Sequence, residues 1–508
     1  MNVTFAVPSI ARRTEENETR TTMSRPGSNI AISGSAVFIA CLGLSACAYR
    51  TPQLEIPPGW AAPGQAAASD PAYIPDAVWW THFGSEELNQ FVAEAQANNH
   101  DLKAAVARVV QAEANAKIAA GSLFPSLGAN FNATRNVREN GSLPTTRTTS
   151  YTGTLQAAYQ VDLFGQIRNS AWAADEAFAA NRFAKESTAI TLTSQVVTAY
   201  LQVLSARERL SLADNRLRNA EEILRTLEAQ RRVGTLSELE LAQQRSALAT
   251  QRATLPALRL AEQQALNNLA VLLGRLPESF AVEAKALTDL QLPQVAAGIP
   301  STILFRRPDL RTSEANLRAA HYDVNAARAA RFPSISLTAN GGSTSGALAN
   351  LFSTGTFFYS LVGSAAETLF AGGRLEGAQQ AQQARSRELL ENYQQAVLAA
   401  FQDTENALDA VHHNGEQFGF AQEASTNADE AYRLAMLRYR AGVIDFQTVL
   451  NAQNAAFQAQ EQVVQAELSR FTAVVSLVLA LGGGWNGELP PAPPLPSAPL
   501  LGTVSDPN

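Results

Sequence analysis

A chain of 508 residues with formal net charge −7, 46% hydrophobic residues and two cysteines lacks both the basic surplus of a nucleic-acid binder and the thiols of a disulfide framework or thiolate metal site. Length alone allows about three domains, but a composition heavy in Ala and Gln suits long helices packed closely together better than a globule with a large aliphatic core. Outside the N-terminal region no apolar run reaches the ~18–20 residues of a membrane-spanning helix.

Residues 1–22 are polar, with Arg12-Arg13 and Glu15-Glu16, and look like neither a signal nor a domain; they are read as lying outside the precursor, with Met23 as its start. Residues 23–46 read as a signal peptide. Arg25 supplies positive charge and Ile30 to Leu44 is almost entirely apolar or small. The run ends in Leu44-Ser45-Ala46-Cys47, which resembles the bacterial lipobox, a small-residue cleavage site placed directly before a cysteine that becomes lipidated. Cys41 is the weaker candidate, and an ordinary signal sequence with an incidental cysteine is the alternative. Ala48, not Asp, follows Cys47, which by the enteric sorting rule sends a lipoprotein to the outer membrane, where several acyl chains anchor it stably. Residues 47–80 form the lipidated tether, extended and poorly packed where Pro, Ala and Gly dominate between Thr51 and Pro75.

The first repeat, residues 81–300, opens on a helix from Glu86 to Ala120 with Phe91, Ala95, Leu102, Val106 and Val109 on its apolar face. Phe124-Pro125 stops it. From Ser126 the period falls to two, with Leu127, Ala129, Phe131 and Ala133 alternating with polar or smaller residues as in a strand. Asn136 to Ser150, with Asn140-Gly141 and Pro144, reads as a long loop, and Tyr151 to Leu163 alternates as a second strand. A helical pattern then runs from beyond Gly165 to Arg232, about 100 Å at 1.5 Å per residue. Gly234 sits where an αL glycine ends a helix, and Ser237-Glu238-Leu239-Glu240 is a capping box that starts the returning one. Pro256 should kink that helix, which finishes near Leu273-Gly274. Pro277 to Pro300 is a connector.

The second repeat, residues 301–484, follows the same order: a helix from Ser301 to Arg331, a strand at Ile335, Leu337 and Ala339, a Gly/Ser-rich loop from Gly341-Gly342 to Thr354, and a strand from Phe357 to Gly363. A second long helix runs from Gly372 to Arg440 and stops at Gly442; Asp445 caps the helix after it. That helix carries Leu450, Phe457, Val464, Phe471 and Val478, each seven positions after the last, which is a coiled-coil seam. Leu241, Leu248, Leu255 and Leu269 keep the same step in the first repeat, with Glu262 the one break. Phe124-Pro125-Ser126 matches Phe332-Pro333-Ser334, Gly234 matches Gly442, and Gly274 matches Gly482; 332 − 124, 442 − 234 and 482 − 274 all give 208. One long unit is written twice. Residues 485–508 form a Gly- and Pro-rich tail that predicts no regular structure.

Four strands of about ten to thirteen residues are long enough to cross an outer membrane when tilted. They cannot close a barrel alone, because the smallest have about eight strands, and an open edge in lipid leaves backbone groups unpaired. Spanning strands therefore require several chains to share one barrel; the alternative is a soluble periplasmic β-patch joining coiled coils. The chain resembles the outer-membrane factors of TolC and OprM type, most closely the NodT-like efflux lipoproteins. The resemblance rests on the lipobox at Cys47, Trp79-Trp80 with Phe83, Val161-Asp162-Leu163-Phe164-Gly165, Phe305-Arg306-Arg307-Pro308-Asp309-Leu310 and Arg331-Phe332-Pro333-Ser334-Ile335-Ser336-Leu337. It implies a mainly α, α+β fold of internally duplicated coiled-coil hairpins, assembled as a homotrimer with a shared twelve-stranded transmembrane β-barrel above a helical α-barrel.

The resemblance further implies a passive exit duct in the outer membrane for small toxic compounds or drugs. Its partners would be a periplasmic adaptor and an inner-membrane pump of RND type, with no cofactor beyond the lipid at Cys47 and no catalysis. His82, His100, His321 and the pair His412-His413 are read as surface or interface histidines, not metal ligands. The family closes its periplasmic end just past the hairpin tips, which places the constriction at Gln447, Thr448 and Asn451, with Glu240 at the matching acidic site of the first repeat. Acidic residues are common at the last two of the second-repeat positions, so closure here is expected to rely on sterics and amide hydrogen bonds. Whether Glu240 faces the lumen or only caps its helix stays open. The tips around Arg232, Gly234, Arg440 and Gly442 are the expected adaptor contacts. The same duct serving ABC-driven type I protein secretion, a periplasmic adaptor and a structural envelope coiled coil are the rival readings; the duplication argues against the second and the alternating aromatic strands against the third.

Overall fold

The computed structural model describes residues 60–61 and 75–489 apart from 142, 235–236, 279, 285 and 296–299. Cys41, Cys47, the signal segment, most of the tether and the tail beyond 489 lie outside the described residues.

A 3-10 turn, Trp79–Phe83, leads into α1 (Glu86–Asn98). The single helix expected from Glu86 to Ala120 is two helices. Asn99 leaves the helix with ψ of 132° and its side chain accepts hydrogen bonds from the amides of Asp101 and Leu102, starting α2 (His100–Gly121). After the first strand pair come α3 (Gln166–Arg232) and α4 (Glu238–Leu272), which runs unbroken through Pro256. The second repeat supplies α5 (Ile303–Arg306), α6 (Pro308–Ala329), a second strand pair, α7 (Arg374–Arg440) and α8 (Phe446–Ala480). Arg307 separates α5 from α6, and its guanidinium binds Asp309 at 2.8 Å and Asp403 of α7 at 3.3 Å, so the Arg307-Pro308-Asp309 run ties the start of α6 to the second long helix.

The strands β1 (Ser126–Asn140), β2 (Leu143–Val161), β3 (Ser334–Ser345) and β4 (Phe357–Ala366) form one antiparallel sheet in the order β1-β2-β3-β4. Two expected loops are thus largely strand. The ladder between β1 and β2 continues past Asn136 to Arg138 opposite Thr146, and β3 passes through Gly341-Gly342, with Gly342 opposite Thr154. Registered pairs alternate faces, and the register sorts most of the sheet, Phe358 and Val362 being the large apolar residues that fall on the polar side. One face carries Leu127, Ala129, Phe131, Tyr151, Leu155, Tyr159, Val161, Ile335, Leu337, Phe357, Tyr359 and Leu361; the other carries Asn130, Asn132, Thr154, Gln156, Gln160, Ser336, Thr338, Asn340, Ser360 and Ser364. Many of the large apolar side chains are exposed, among them Tyr359 at 81% and Leu361 at 78%, while Tyr151, Tyr159, Val161 and Ile335 are half-buried.

The main core lies where the middle of α3 meets α1, α4 and α8. Phe83, Leu88, Val92, Val196, Tyr200, Leu204, Leu269 and Leu287 are essentially inaccessible there, each contributing about 1.5–3 kcal/mol on burial. Trp79 and Phe83 belong to this core, so the chain is packed already at the last residues of the expected tether. Farther upstream, Trp60 rests on Phe401 of α7 at 6.0 Å between ring centroids, and the Ala61 amide donates to Glu405 at 2.8 Å. At the other end Trp485 packs edge-on against Phe183 at 5.9 Å, so the expected tail begins as structured chain. The heptad residues Leu450, Val464, Phe471 and Val478 are buried, as are Leu241, Leu248, Leu255 and Leu269; Glu262, the break in the first series, binds Arg207 at 3.0 Å.

Candidate functional site at the hairpin tips

Both long hairpins end in a turn closed by a left-handed glycine, Gly234 with φ of 79° and Gly442 with φ of 72°. At the second, the Val443 amide donates to the Arg438 carbonyl at 3.0 Å and Gly442 to Tyr439 at 2.9 Å, the paired bonds that terminate a helix. The described residues of the turns, Val233, Gly234, Ala441, Gly442 and Val443, are exposed, as are Arg232 and Arg440 beside them. Leu227, Leu241, Ala435, Phe446, Val449 and Leu450 pack behind the turns into one cluster drawn from all four helices.

Around that cluster the polar contacts cross from one hairpin to the other. Glu240 completes the capping box of α4: its amide donates to Ser237 Oγ at 3.3 Å and its Oε2 accepts from the Ser237 amide at 3.1 Å. Its second oxygen accepts from the Tyr439 hydroxyl of α7 at 3.2 Å. Glu240 therefore caps and links at once. Burial and the Glu240 charge push the Tyr439 hydroxyl up to about 12, keeping it a neutral donor. Gln243 of α4 donates to Gln447 of α8 at 3.0 Å, and Gln447 donates to Asn451 at 3.0 Å. Thr448 instead turns to its own cap: its amide and hydroxyl both donate to Asp445 Oδ1, at 2.8 and 2.5 Å, and these bonds hold the Asp445 carboxyl below its usual range. Gln447, Thr448 and Asn451 are all exposed. A groove of about 570 Å³ runs between α3 and α7 above this point, lined by Leu227, Tyr432, Met436, Tyr439 and Phe446 among others.

Tyr439 and Gln243 escaped the sequence reading because their partners lie 199 and 204 residues away. Arg216 escaped it too. This buried guanidinium of α3 lies over Phe457 at 4.8 Å, donates to the Phe457 carbonyl at 2.5 Å and faces Glu461 at 3.6 Å; Glu461 also holds Arg209 at 2.5 Å. The Glu262 gap in the heptad series was the one hint that charged residues enter these seams. The structure also brings His412, His413 and Glu416 within 4.8 Å of one another on an exposed face of α7, a His–carboxylate grouping the sequence reading did not credit.

A sheet with one apolar and one polar face and two unpaired edges, standing on hairpins of 67-residue helices, is the wall segment of an outer-membrane duct with a long helical stem. The chain belongs to the outer membrane efflux protein family, whose profile matches residues 91–275 and 299–483; 299 − 91 and 483 − 275 both return the 208-residue spacing of the internal repeat. It is 38% identical over 460 residues to the pyoverdine export outer membrane protein OpmQ of Pseudomonas putida, spanning 88% of this chain and 97% of that one. It is 32% identical to the toluene efflux pump outer membrane protein TtgC of Pseudomonas putida over 86% and 92% of the two chains. Among solved structures, the outer-membrane channel OprN superposes with a TM-score of 0.80 at 28% identity, covering 86% of this chain and 98% of that one. The open state of the Neisseria gonorrhoeae MtrE outer membrane channel gives 0.78 at 28% identity over 86% and 97%. The protein is an outer-membrane efflux channel, the exit duct of a tripartite efflux system.

Proposed function

We propose that the duct is a homotrimer through which small toxic compounds or drugs leave the cell passively, driven by an inner-membrane pump of RND type acting through a periplasmic adaptor. The observation that carries the trimer is the pair of open edges at β1 and β4. Three copies of a four-stranded sheet give twelve strands, an even number that closes with no backbone group left facing lipid. The apolar face fits the membrane in height. From Val161 to Tyr151 is ten residues, about 34 Å of strand, or about 25 Å along the membrane normal at a tilt near 40°. Small-molecule cargo is supported by the export and efflux names of the relatives. The tips around Arg232, Gly234, Arg440 and Gly442 contact the adaptor, and Glu240, Gln447, Thr448 and Asn451 lie at the constriction, held by the Tyr439–Glu240 and Gln243–Gln447–Asn451 bonds and, for Thr448, by its bonds to Asp445.

Cys47 carries the lipid. Extended, the stretch from Cys47 to Trp60 spans at most about 45 Å, and Phe401, on which Trp60 rests, lies about 40 Å along α7 from its sheet-proximal start at Arg374. An anchor in the inner leaflet is therefore reached with little slack. No further cofactor is required.

The test is a tagged pull-down from cross-linked cell envelopes with the co-purifying inner-membrane proteins identified. Recovery of a proton-driven pump with an adaptor is expected; recovery of an ABC exporter instead would move the same duct to polypeptide secretion and overturn the small-molecule reading. With one carboxylate at the constriction, millimolar trivalent cations on the periplasmic side should block conductance weakly, and block as strong as in a relative ringed by carboxylates would refute closure by amides.

A further inference from the structure

Charge is distributed unevenly over the sheet. Along the whole of β1 and β2 and the whole of β3 and β4, the charged residues are Arg135, Arg138, Glu139 and Arg147, all gathered at the far end of the first hairpin. This end is net positive in a chain that is net negative. The helices join the sheet at its opposite end, at Pro125, Gly165, Pro333 and Gly373, so the arginines mark the extracellular rim.

The register sorts them further. Arg135 pairs with Thr149 and Val137 with Arg147, which puts Arg135 and Arg147 on the same face as Phe131, Tyr151 and Leu155, the lipid side. Arg138, opposite Thr146, lies on the polar, inward face. Arg135 stands one same-face step beyond the row of Ala133 and Tyr151, where the apolar band stops. That step is about 7 Å of strand, or about 5 Å of height once tilted, and headgroups occupy the last several ångströms on each side of a hydrocarbon core about 30 Å thick. Arg147 follows one step farther out. The two lie at diagonal positions about 7–8 Å apart. Both are exposed and neither has an ion-pair partner among the described residues, Glu139 at the irregularity between Arg138 and Asn140 included; the β3–β4 end of the rim has no carboxylate to offer. Two exposed like charges at diagonal positions make a positive patch that an anion can bridge, and a guanidinium pair matches the oxygens of a phosphate group in bidentate fashion.

We infer that Arg135 and Arg147 bind the phosphate groups of the lipid A headgroups in the outer leaflet, fastening the barrel rim to that leaflet. The inference rests on the outer-membrane reading above and adds a lipid ligand to it.

The test uses the full-length chain purified in detergent, titrated with bis-phosphorylated lipid A and with the same lipid after enzymatic dephosphorylation. The wild-type protein should prefer the phosphorylated form by about tenfold, the loss expected for roughly one charge-assisted contact. The double variant R135Q/R147Q should lose that preference, whereas R138Q, altered on the inward face, should keep it. Equal binding of both lipids by the wild type overturns the inference, as does a preference unchanged in R135Q/R147Q. Inorganic phosphate that displaces lipid A at equal concentration would also overturn the lipid as the occupant. Membrane fractionation separates the two readings: wild-type protein absent from the outer membrane sinks the duct itself, while protein present there without phosphate preference sinks this inference alone.

Discussion

Replacing Tyr439 by phenylalanine removes one hydroxyl and little else. The ring keeps its packing against Phe446, 5.2 Å away between centroids, and Glu240 keeps its cap through the bonds of its other oxygen to Ser237. What is lost is the 3.2 Å hydrogen bond between two hairpins of the same chain. A hydrogen bond to a charged group contributes about 1.5–3 kcal/mol, and the partial exposure of Glu240 lets water recover some of it, leaving about 1–2 kcal/mol. If parting the hairpins opens the periplasmic end, the opening equilibrium shifts by about 5–30-fold; a channel open about 1% of the time would be open about 5–25% of the time. Single-channel recording in planar bilayers measures this directly, with Glu240→Gln, which still caps and still accepts, changing it less. Since the Tyr439 hydroxyl is raised from 10 to about 12, the bond is fully present below pH 10 and is lost only as pH rises toward 12, so the difference between Tyr and Phe should be flat between pH 5 and 8. A folded Tyr439→Phe channel with an open fraction within twofold of wild type would refute the assignment of this bond as a lock.

The two adjacent glycines of β3 should behave oppositely. A Cβ on Gly342 would stand 2.2 Å from the Gly153 carbonyl oxygen, whereas one on Gly341 meets nothing within 4 Å, so Gly342→Ala should deplete folded barrel in heat-modifiability gels and Gly341→Ala should not. Arg216→Met should lower stability by about 1.5–3 kcal/mol, because it strips the bond to the Phe457 carbonyl and leaves Glu461 with Arg209 alone; an unchanged melting temperature would show the contact to be idle. Burial pushes the carboxyls of Glu208 and Glu467 up from their ordinary value, and the charge of Glu208 adds to the rise at Glu467. The folded state therefore binds more protons than the unfolded state, and stability should rise as pH falls from 7 toward 4.5 and gain nothing more from this pair below it. Glu467→Gln should raise the melting temperature at pH 7 and flatten that dependence, and a steeper profile would contradict the argument.

Much of the helical stem was legible because its determinants are local. Gly234, Gly442, Ser237 with Glu240 and Asp445 act on their own turns, and the heptads at Leu241 and Leu450 mark faces without reference to distant chain. Errors arose where a local pattern had a nonlocal reason. Asn99 interrupts a stretch whose apolar spacing continues on both sides, so nothing in periodicity shows the break. The outer parts of β1 and β2 read as loop because Asn136 to Ser150 is mostly polar at successive positions: beyond the apolar band both sides of a strand meet water or headgroups, and alternation loses its cause. Gly341-Gly342 reads as a breaker, yet Gly342 is there because the neighbouring strand approaches too closely for any side chain. The cross-hairpin partners, Tyr439 with Glu240 and Arg216 with Glu461, depend on how four helices are brought together, and no single helix announces them.

The inward face of the sheet, from Ser126 to Asn136 and across its neighbours, presents mostly Asn, Gln, Ser and Thr, with Phe358 and Val362 among them, and no ionised side chain. Such a wall hydrogen-bonds with polar solutes and carries no fixed charge until Arg138 at its outer end. Along that stretch a molecule of either sign meets the same neutral donors and acceptors. Choice of cargo is thereby delegated upstream, and a new substrate can be acquired by changing the machinery that fills the duct without altering a residue of its membrane wall.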